Sequence, residues 1–295
     1  PPAMASERDI VVGSRTYRVR DGGSQAGWPI IYFHGTPGSR LDVSLADEAA
    51  AEGGVRLISF DRPGYGGSTP AAFSLRTVGD DVHELADALE LGRFSTLGFS
   101  GGGPFALAAA AGNERVAAVG VADGAGAFEE VAGALEDLDD NDRLAYGLLA
   151  TDRQAAAAQF AEGFAGVAEA AAAGPEALVA YFGPSFNDTD AALFGDPAIA
   201  ESITLSVREA LGSSRQGAGW DNVAWIGPWD IDLKQVRCPV VLWYGSEDRF
   251  ATVDHGAWQA AQLPDARLVV RPGEGHFGHI AHLPEVFAAL RWQSW

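Results

Sequence analysis

The sequence predicts an α/β fold: a mostly parallel central sheet flanked by helices, with a helical insertion after the sixth strand. Three observations carry this. Over the first 122 residues, apolar runs of strand length alternate with helical stretches, the pattern of strands buried on both faces and joined by crossover helices. From about Asp123 to Lys234 the strand signal disappears. After Lys234 it returns for two more strands, so the chain divides into a core at 1–123, an insertion at 124–234 and a second core segment at 235–295.

The elements follow in order. Ile10-Val11-Val12 and Tyr17-Arg18-Val19 flank Gly13-Ser14 and read as an opening hairpin. Pro29 to Phe33 is a continuous apolar run suited to a central parallel strand, and Val55 to Phe60 and Phe94 to Phe99 read as strands of the same kind. Between them, Leu41 to Glu52 and Leu75 to Leu91 read as helices. The second carries Val78, Val82, Leu85, Ala86 and Leu89 at helical spacing. An alanine-rich helix follows Pro104, then the strand Val116 to Ala122. In the insertion, Gln154 to Ala173 reads as helix, the acidic run Glu136 to Asp142 as a solvated face or loop, and Trp220, Trp225 and Trp229 fall in loop-like sequence. Cys238 to Tyr244 and Ala266 to Val270 are the last strands, and a helix from about Pro284 to Trp292 closes the chain.

Composition narrows the function. The 295 residues include 20 Lys plus Arg against 40 Asp plus Glu, a formal net charge of −20. A field of that sign repels phosphate backbones and anionic membranes, so nucleic acid and membrane are not expected partners. Cys238 is the single cysteine, which excludes an intramolecular disulfide and any cysteine zinc cluster; it reads as a small hydrophobe ahead of a strand. No run of about 18 apolar residues reads as a membrane span. The first residues lack a signal-peptide pattern, Pro1 to Ala3 read as a remnant ahead of Met4, and the expected location is cytoplasmic.

The chemistry is carried by four strand ends. Gly98-Phe99-Ser100-Gly101-Gly102 follows an apolar strand and precedes a helix. A serine on such a sharp turn needs small neighbours, and the turn lifts its hydroxyl to the positive end of the next helix. Phe33-His34-Gly35-Thr36-Pro37-Gly38 follows another strand, and the Thr36 N–H together with that of Gly101 would form an oxyanion hole. A serine hydroxyl is a poor nucleophile without a base, and the base needs a carboxylate to fix its tautomer. Tyr244-Gly245-Ser246-Glu247-Asp248 and Pro272-Gly273-Glu274-Gly275-His276-Phe277 end the last two strands with those groups.

These segments, with Asp61-Arg62-Pro63-Gly64-Tyr65-Gly66-Gly67-Ser68, resemble the α/β-hydrolase fold superfamily, in the capped group of esterases, lipases and proline iminopeptidase-like enzymes. The resemblance implies an eight-stranded sheet, a helical cap and a triad in the chain order Ser100, Asp248, His276. It favours His276 over His279 and His282 as the base, and Asp248 over Glu247 and Asp123 as the acid. It makes His34 a structural residue of the oxyanion loop, and the Asp61–Arg62 loop a structural neighbour of the site. Ser100 argues against the carboxylate nucleophile of the family's dehalogenases and epoxide hydrolases.

The expected activity is a serine hydrolase of small or medium carboxylic esters, lactones included. The alternatives are an aminopeptidase, with Glu129, Glu130, Glu136 or Asp137 holding a substrate ammonium, and a ligand-binding protein on a hydrolase scaffold. Against the aminopeptidase, Thr36 stands where the iminopeptidase loop has glycine. Trp220, Trp225 and Trp229 are either a substrate wall or the cap's own core. No cofactor and no metal are called for. The expected partner is a small-molecule substrate, for a monomer or homodimer.

Overall fold

The computed structural model describes residues 5–291. Eight strands form one sheet: β1 (Ser6–Val12), β2 (Arg15–Gly23), β3 (Trp28–Phe33), β4 (Val55–Phe60), β5 (Phe94–Phe99), β6 (Val116–Ala122), β7 (Val240–Gly245) and β8 (Ala266–Arg271). Their order is β1-β2-β4-β3-β5-β6-β7-β8, antiparallel at β1–β2 and β2–β4 and parallel from there on. β5 is buried along its whole length because neighbours and helices cover both faces, which is why its sequence shows no polar alternation. The edge strand β1 is mostly exposed and carries Glu7, Arg8 and Asp9, charges that keep an open edge from pairing with other chains.

The first two strands are longer than their apolar cores suggest. Polar residues extend them: Arg18 pairs with Glu7 and Asp9, and Arg20 with Asp47. β2 also pairs with β4 at Val19–Gly23. The stretch expected as one helix over Leu41 to Glu52 is a 3-10 turn, Arg40–Ala46, followed by α1 (Asp47–Glu52). Ser39 caps the turn and Asp42 closes its capping box. α2 (Leu75–Ala88) stops three residues short of Leu91, with Glu90 in the left-handed region. α3 (Gly103–Ala110) is buried throughout.

Between β6 and β7 lie α4 (Asp140–Leu148), α5 (Arg153–Glu162), α6 (Ala165–Ala173), α7 (Pro175–Phe182), α8 (Asp188–Phe194), α9 (Pro197–Leu211) and α10 (Gln216–Trp225). The single helix expected over Gln154 to Ala173 is therefore two, broken at Gly163-Phe164. Asp139 of the acidic run caps α4, and Asp140 and Asp142 occupy its first turn, where the helix dipole favours negative charge. Trp220 and Trp225 sit on α10 and not in a loop. α11 (Val253–Gln262) and α12 (Leu283–Leu290) are the last helices among the described residues, and Trp292, the expected last helical residue, lies outside them, as do Pro1 to Ala3.

Two buried clusters cover the sheet, one on each side. Phe33, Ile58, Phe105 and Val119 belong to the first, and Ile30, Leu57, Leu97, Trp243 and Phe287 to the second. Successive residues of one strand, such as Ile30 and Ile31, enter opposite clusters, the alternation a two-faced strand imposes. The packing holds the carboxyl ends of β3, β5, β6, β7 and β8 in one row. That row is where the loops carrying Thr36, Ser100, Asp123, Asp248 and His276 emerge.

Candidate active site

Ser100 follows β5 directly and has φ +51, the left-handed region that a non-glycine residue adopts only under constraint. Its neighbours relieve the crowding. A Cβ on Gly98 would stand 2.4 Å from the Gly102 carbonyl oxygen, and one on Gly102 would stand 2.2 Å from that of Phe33. Both obstacles are backbone, so only glycine fits. The turn feeds the 3-10 segment Ser100–Gly102 and then α3, whose amino end faces the serine.

The Ser100 hydroxyl donates to His276 Nε2 across 3.0 Å, and His276 Nδ1 donates to Asp248 Oδ2 across 2.7 Å. Asp248 is itself fixed by the N–H groups of Phe250 (2.7 Å) and Ala251 (3.0 Å) on its other oxygen. Holding the carboxylate this way sets the imidazole tautomer, with the proton on Nδ1 and a free lone pair for the serine proton on Nε2. His276 and Asp248 are buried while Ser100 is half-buried, so the serine is reached from the cavity and the relay is not. The His276 and Phe277 N–H groups are held by Asp190 of α8, which seats the imidazole from the cap side.

Thr36 and Gly101, the residues expected to offer the oxyanion N–H groups, lie side by side: a Cβ on Gly101 would be 2.2 Å from Thr36 Oγ1. Thr36 lies in a loop whose Gly35 N–H is held by Asp42 and whose Thr36-Pro37 peptide is cis. His34 is buried and structural in its contacts. Its Nε2 accepts from the Arg62 N–H, its ring meets Tyr65 edge-on at 4.7 Å, and burial beside Arg62 lowers its basicity well below the usual range.

Asp123, the rival acid, lies close by. It ends β6 with φ +49, and a carboxylate oxygen each from Asp123 and Asp248 and a ring nitrogen of His276 fall within 4.8 Å of one another. This is the one trio of ligand-type side chains close enough to hold a metal ion among the described residues, and an ion there would have to displace the His276–Asp248 bond. Asp123 Oδ1 accepts from the Gly245 N–H at 2.9 Å. Burial, reinforced by the Asp248 charge, pushes the Asp123 carboxyl well above the usual carboxylate range. Glu247 points away, towards Asn187 Nδ2 at 3.3 Å.

The other histidines are elsewhere. His279 packs on Phe99 with ring centroids 4.4 Å apart, and His282 pairs with Glu274. Cys238 is half-buried, and burial pushes its thiol up to about 11.

A cavity of about 200 Å³ opens over Ser100 and His276. Its walls are largely aromatic and aliphatic, among them Phe164, Val167, Phe182, Val207, Phe250 and Phe277. Trp220 and Trp225 are not among the lining residues; Trp220 belongs to the main buried cluster, and Trp225 and Trp229 pack against it. Glu129 and Glu130 do not line the cavity either, accepting instead from Tyr146 and Trp258 at the surface. Glu136 and Asp137 are likewise absent from its walls.

Arg62 and Asp221 form a fully buried ion pair that connects this site to the cap. Arg62 does not pair with Asp61, which holds Arg40. Asp221 is a functional neighbour that the sequence left unmarked, since a lone aspartate on a helix carries no motif.

A sequence model of the alpha/beta hydrolase fold matches residues 29–283. A Synechocystis protein provisionally named a non-heme chloroperoxidase is 26% identical over 275 residues, covering 88% of this chain and 89% of that protein. The 2-hydroxy-6-oxo-6-phenylhexa-2,4-dienoate hydrolase of Burkholderia cepacia is 34% identical over 59 residues; the match covers 19% of this chain and about a fifth of that enzyme's length. Among solved structures, the enol-lactonase from Burkholderia xenovorans LB400 superposes with a TM-score of 0.68 at 17% identity, covering 96% of this chain and 99% of that one.

Proposed function

The chain belongs to the alpha/beta hydrolase fold family, and we propose that it is a serine hydrolase of small or medium carboxylic esters, lactones included. The observation that carries this reading is the relay from Ser100 through His276 to Asp248, 3.0 and 2.7 Å long, opening on an apolar cavity. An ester whose acyl or alcohol part is apolar suits those walls, whereas a substrate ammonium would find none of the four carboxylates considered for it, and Asp42, which does line the cavity, is engaged by the Gly35 N–H and the Ser206 hydroxyl. The likeness to an enol-lactonase, whose substrate is a cyclic ester, is compatible with this reading at the level of fold.

In the proposed mechanism Ser100 Oγ attacks the acyl carbon while His276 Nε2 takes the hydroxyl proton. The carbonyl oxygen becomes an oxyanion held by the Thr36 and Gly101 N–H groups, each such donor contributing about 3–4 kcal/mol in the transition state. The tetrahedral intermediate collapses, the alcohol leaves with the proton from His276, and an acyl-enzyme remains. Water then gives a proton to His276 and attacks the acyl carbon, and Ser100 regains its proton as the acid departs. Asp248 stays ionised and steadies the imidazolium in both halves.

The test is a series of p-nitrophenyl esters from acetate to longer chains, with Ser100→Ala as control. Turnover lost in the variant supports the acyl-enzyme route. Turnover retained in it, or a wild type that cleaves prolyl amides faster than any ester, contradicts the proposal.

A further inference from the structure

α10 lies across the loops that build the site, and three residues spaced four apart, Gly217, Asp221 and Trp225, mark one face of it. At Gly217 the helix backbone rests on the Gly64-Tyr65 turn: a Cβ there would be 2.6 Å from the Tyr65 ring. One turn on, Asp221 Oδ2 accepts from the Thr36 hydroxyl (2.7 Å), the Tyr65 hydroxyl (2.5 Å) and Arg62 Nη2 (2.6 Å), and Oδ1 accepts from Arg62 Nε (2.7 Å). Arg62 in turn donates to the carbonyls of His34 (2.7 Å) and Gly35 (3.2 Å). A further turn on, Trp225 brings its buried indole N–H to 3.1 Å from where a Cβ on Gly101 would stand. One helical stripe of the cap thus touches the β4 loop, the oxyanion loop and the serine elbow in succession.

Asp221 holds both ends of the segment that carries the Thr36 N–H. The Thr36 side chain is bound directly, and the two preceding carbonyls are bound through Arg62. With the peptide planes of His34 and Gly35 fixed by their carbonyls and the Thr36 side chain fixed by its hydroxyl, the N–H between them has little freedom left. We propose that Asp221 is a positioning residue of the reaction centre, aiming the Thr36 N–H at the oxyanion through the Thr36 hydroxyl and Arg62. The cap then does more than cover the substrate, because one of its helices sets the geometry of the hole. Thr36 therefore has a side-chain role besides the backbone one, although the hole itself is made of backbone groups. The inference rests on the serine-hydrolase reading and adds to it.

The test measures the second-order rate at which a fluorophosphonate phosphonylates Ser100, a reaction that uses the nucleophile and the hole without needing the natural substrate. Thr36→Val removes only the hydroxyl link and leaves Arg62 and Tyr65 on Asp221. It should slow labelling by about 10- to 100-fold, since a misaimed donor loses much of what a removed one loses. Thr36→Ser, which keeps the hydroxyl, should react near the wild-type rate, and all three proteins should melt within a few degrees of one another. On p-nitrophenyl esters the Thr36→Val loss should fall on kcat with KM little changed, a split that a general loosening of the cavity would not give. Asp221→Asn should share the deficit non-additively with Thr36→Val; if it fails to fold, the Thr36 pair still decides. Equal labelling of wild type and Thr36→Val overturns the inference alone. A wild type that does not label overturns the serine-nucleophile reading and this inference with it.

Discussion

Asp123 and Asp248 place carboxylate oxygens within 4.8 Å of each other at the ends of adjacent strands, yet it is Asp248 that accepts the hydrogen bond of the His276 Nδ1–H, across 2.7 Å. Two acids in so small a buried space cannot both ionise cheaply. Their surroundings separate them: Asp248 is held by His276 and two backbone N–H groups, whereas Asp123 has burial and the Asp248 charge against its ionisation.

Asp248→Asn should therefore lower kcat by roughly 10⁴-fold, because an amide no longer fixes the imidazole tautomer. Asp123→Asn should leave kcat within a few-fold, since Asp123 holds the Gly245 N–H and not the His276 ring, and an amide oxygen can keep that bond. Steady-state kinetics of the two variants check this, and a reversal of the two effects contradicts the assignment.

Gly102→Ala should destabilise the fold by at least about 2 kcal/mol, because the new methyl meets two fixed carbonyls and no flexible side chain. Its Cβ would lie 2.2 Å from the Phe33 oxygen and 2.5 Å from that of His34. Denaturant unfolding measures the loss; an unchanged midpoint would mean the elbow relaxes more than its packing allows.

His279 gives a pH dependence. Burial, with His276 and Arg271 nearby, pushes it down to about 3, so the folded chain keeps it neutral. In the unfolded chain it protonates below about 6.5. The unfolded state therefore binds more protons between these values, and this group costs stability as pH falls from about 6.5 towards 3. Melting temperatures from pH 7 to pH 4 should fall less steeply in His279→Leu than in the wild type. Parallel curves would contradict the argument.

Phe182→Ala removes an aromatic wall of the cavity. The longest p-nitrophenyl acyl chain turned over efficiently should lengthen, while acetate is little affected. An unchanged chain-length optimum would place the acyl group elsewhere.

The strands are legible because burial on both faces leaves largely apolar runs, as in Trp28–Phe33 and Val116–Ala122. The extensions of β1 and β2 are not, since their residues are held by Arg–carboxylate pairs that look like ordinary surface charge. Ser100, Asp248 and His276 were legible through short local motifs at strand ends. α10 reads as loop-like sequence because Gly217 and Gly219 weaken its helical signal. The structure gives the reason for both glycines: each lies where a methyl would strike a neighbour, Tyr65 in one case and the Ala157 carbonyl in the other. The Arg62–Asp221 pair joins residues 159 apart, and a single long-range polar contact leaves no periodic trace.

The central claim is that Ser100 is an acyl-transfer nucleophile driven by His276 and Asp248. Mass spectrometry of the protein after brief incubation with a p-nitrophenyl ester, at a pH low enough to slow deacylation, tests it most directly. The account predicts one acyl adduct on the peptide bearing Ser100, absent from Ser100→Ala and released with return to neutral pH. Ester turnover at full rate by Ser100→Ala, or an adduct on another residue, would contradict it.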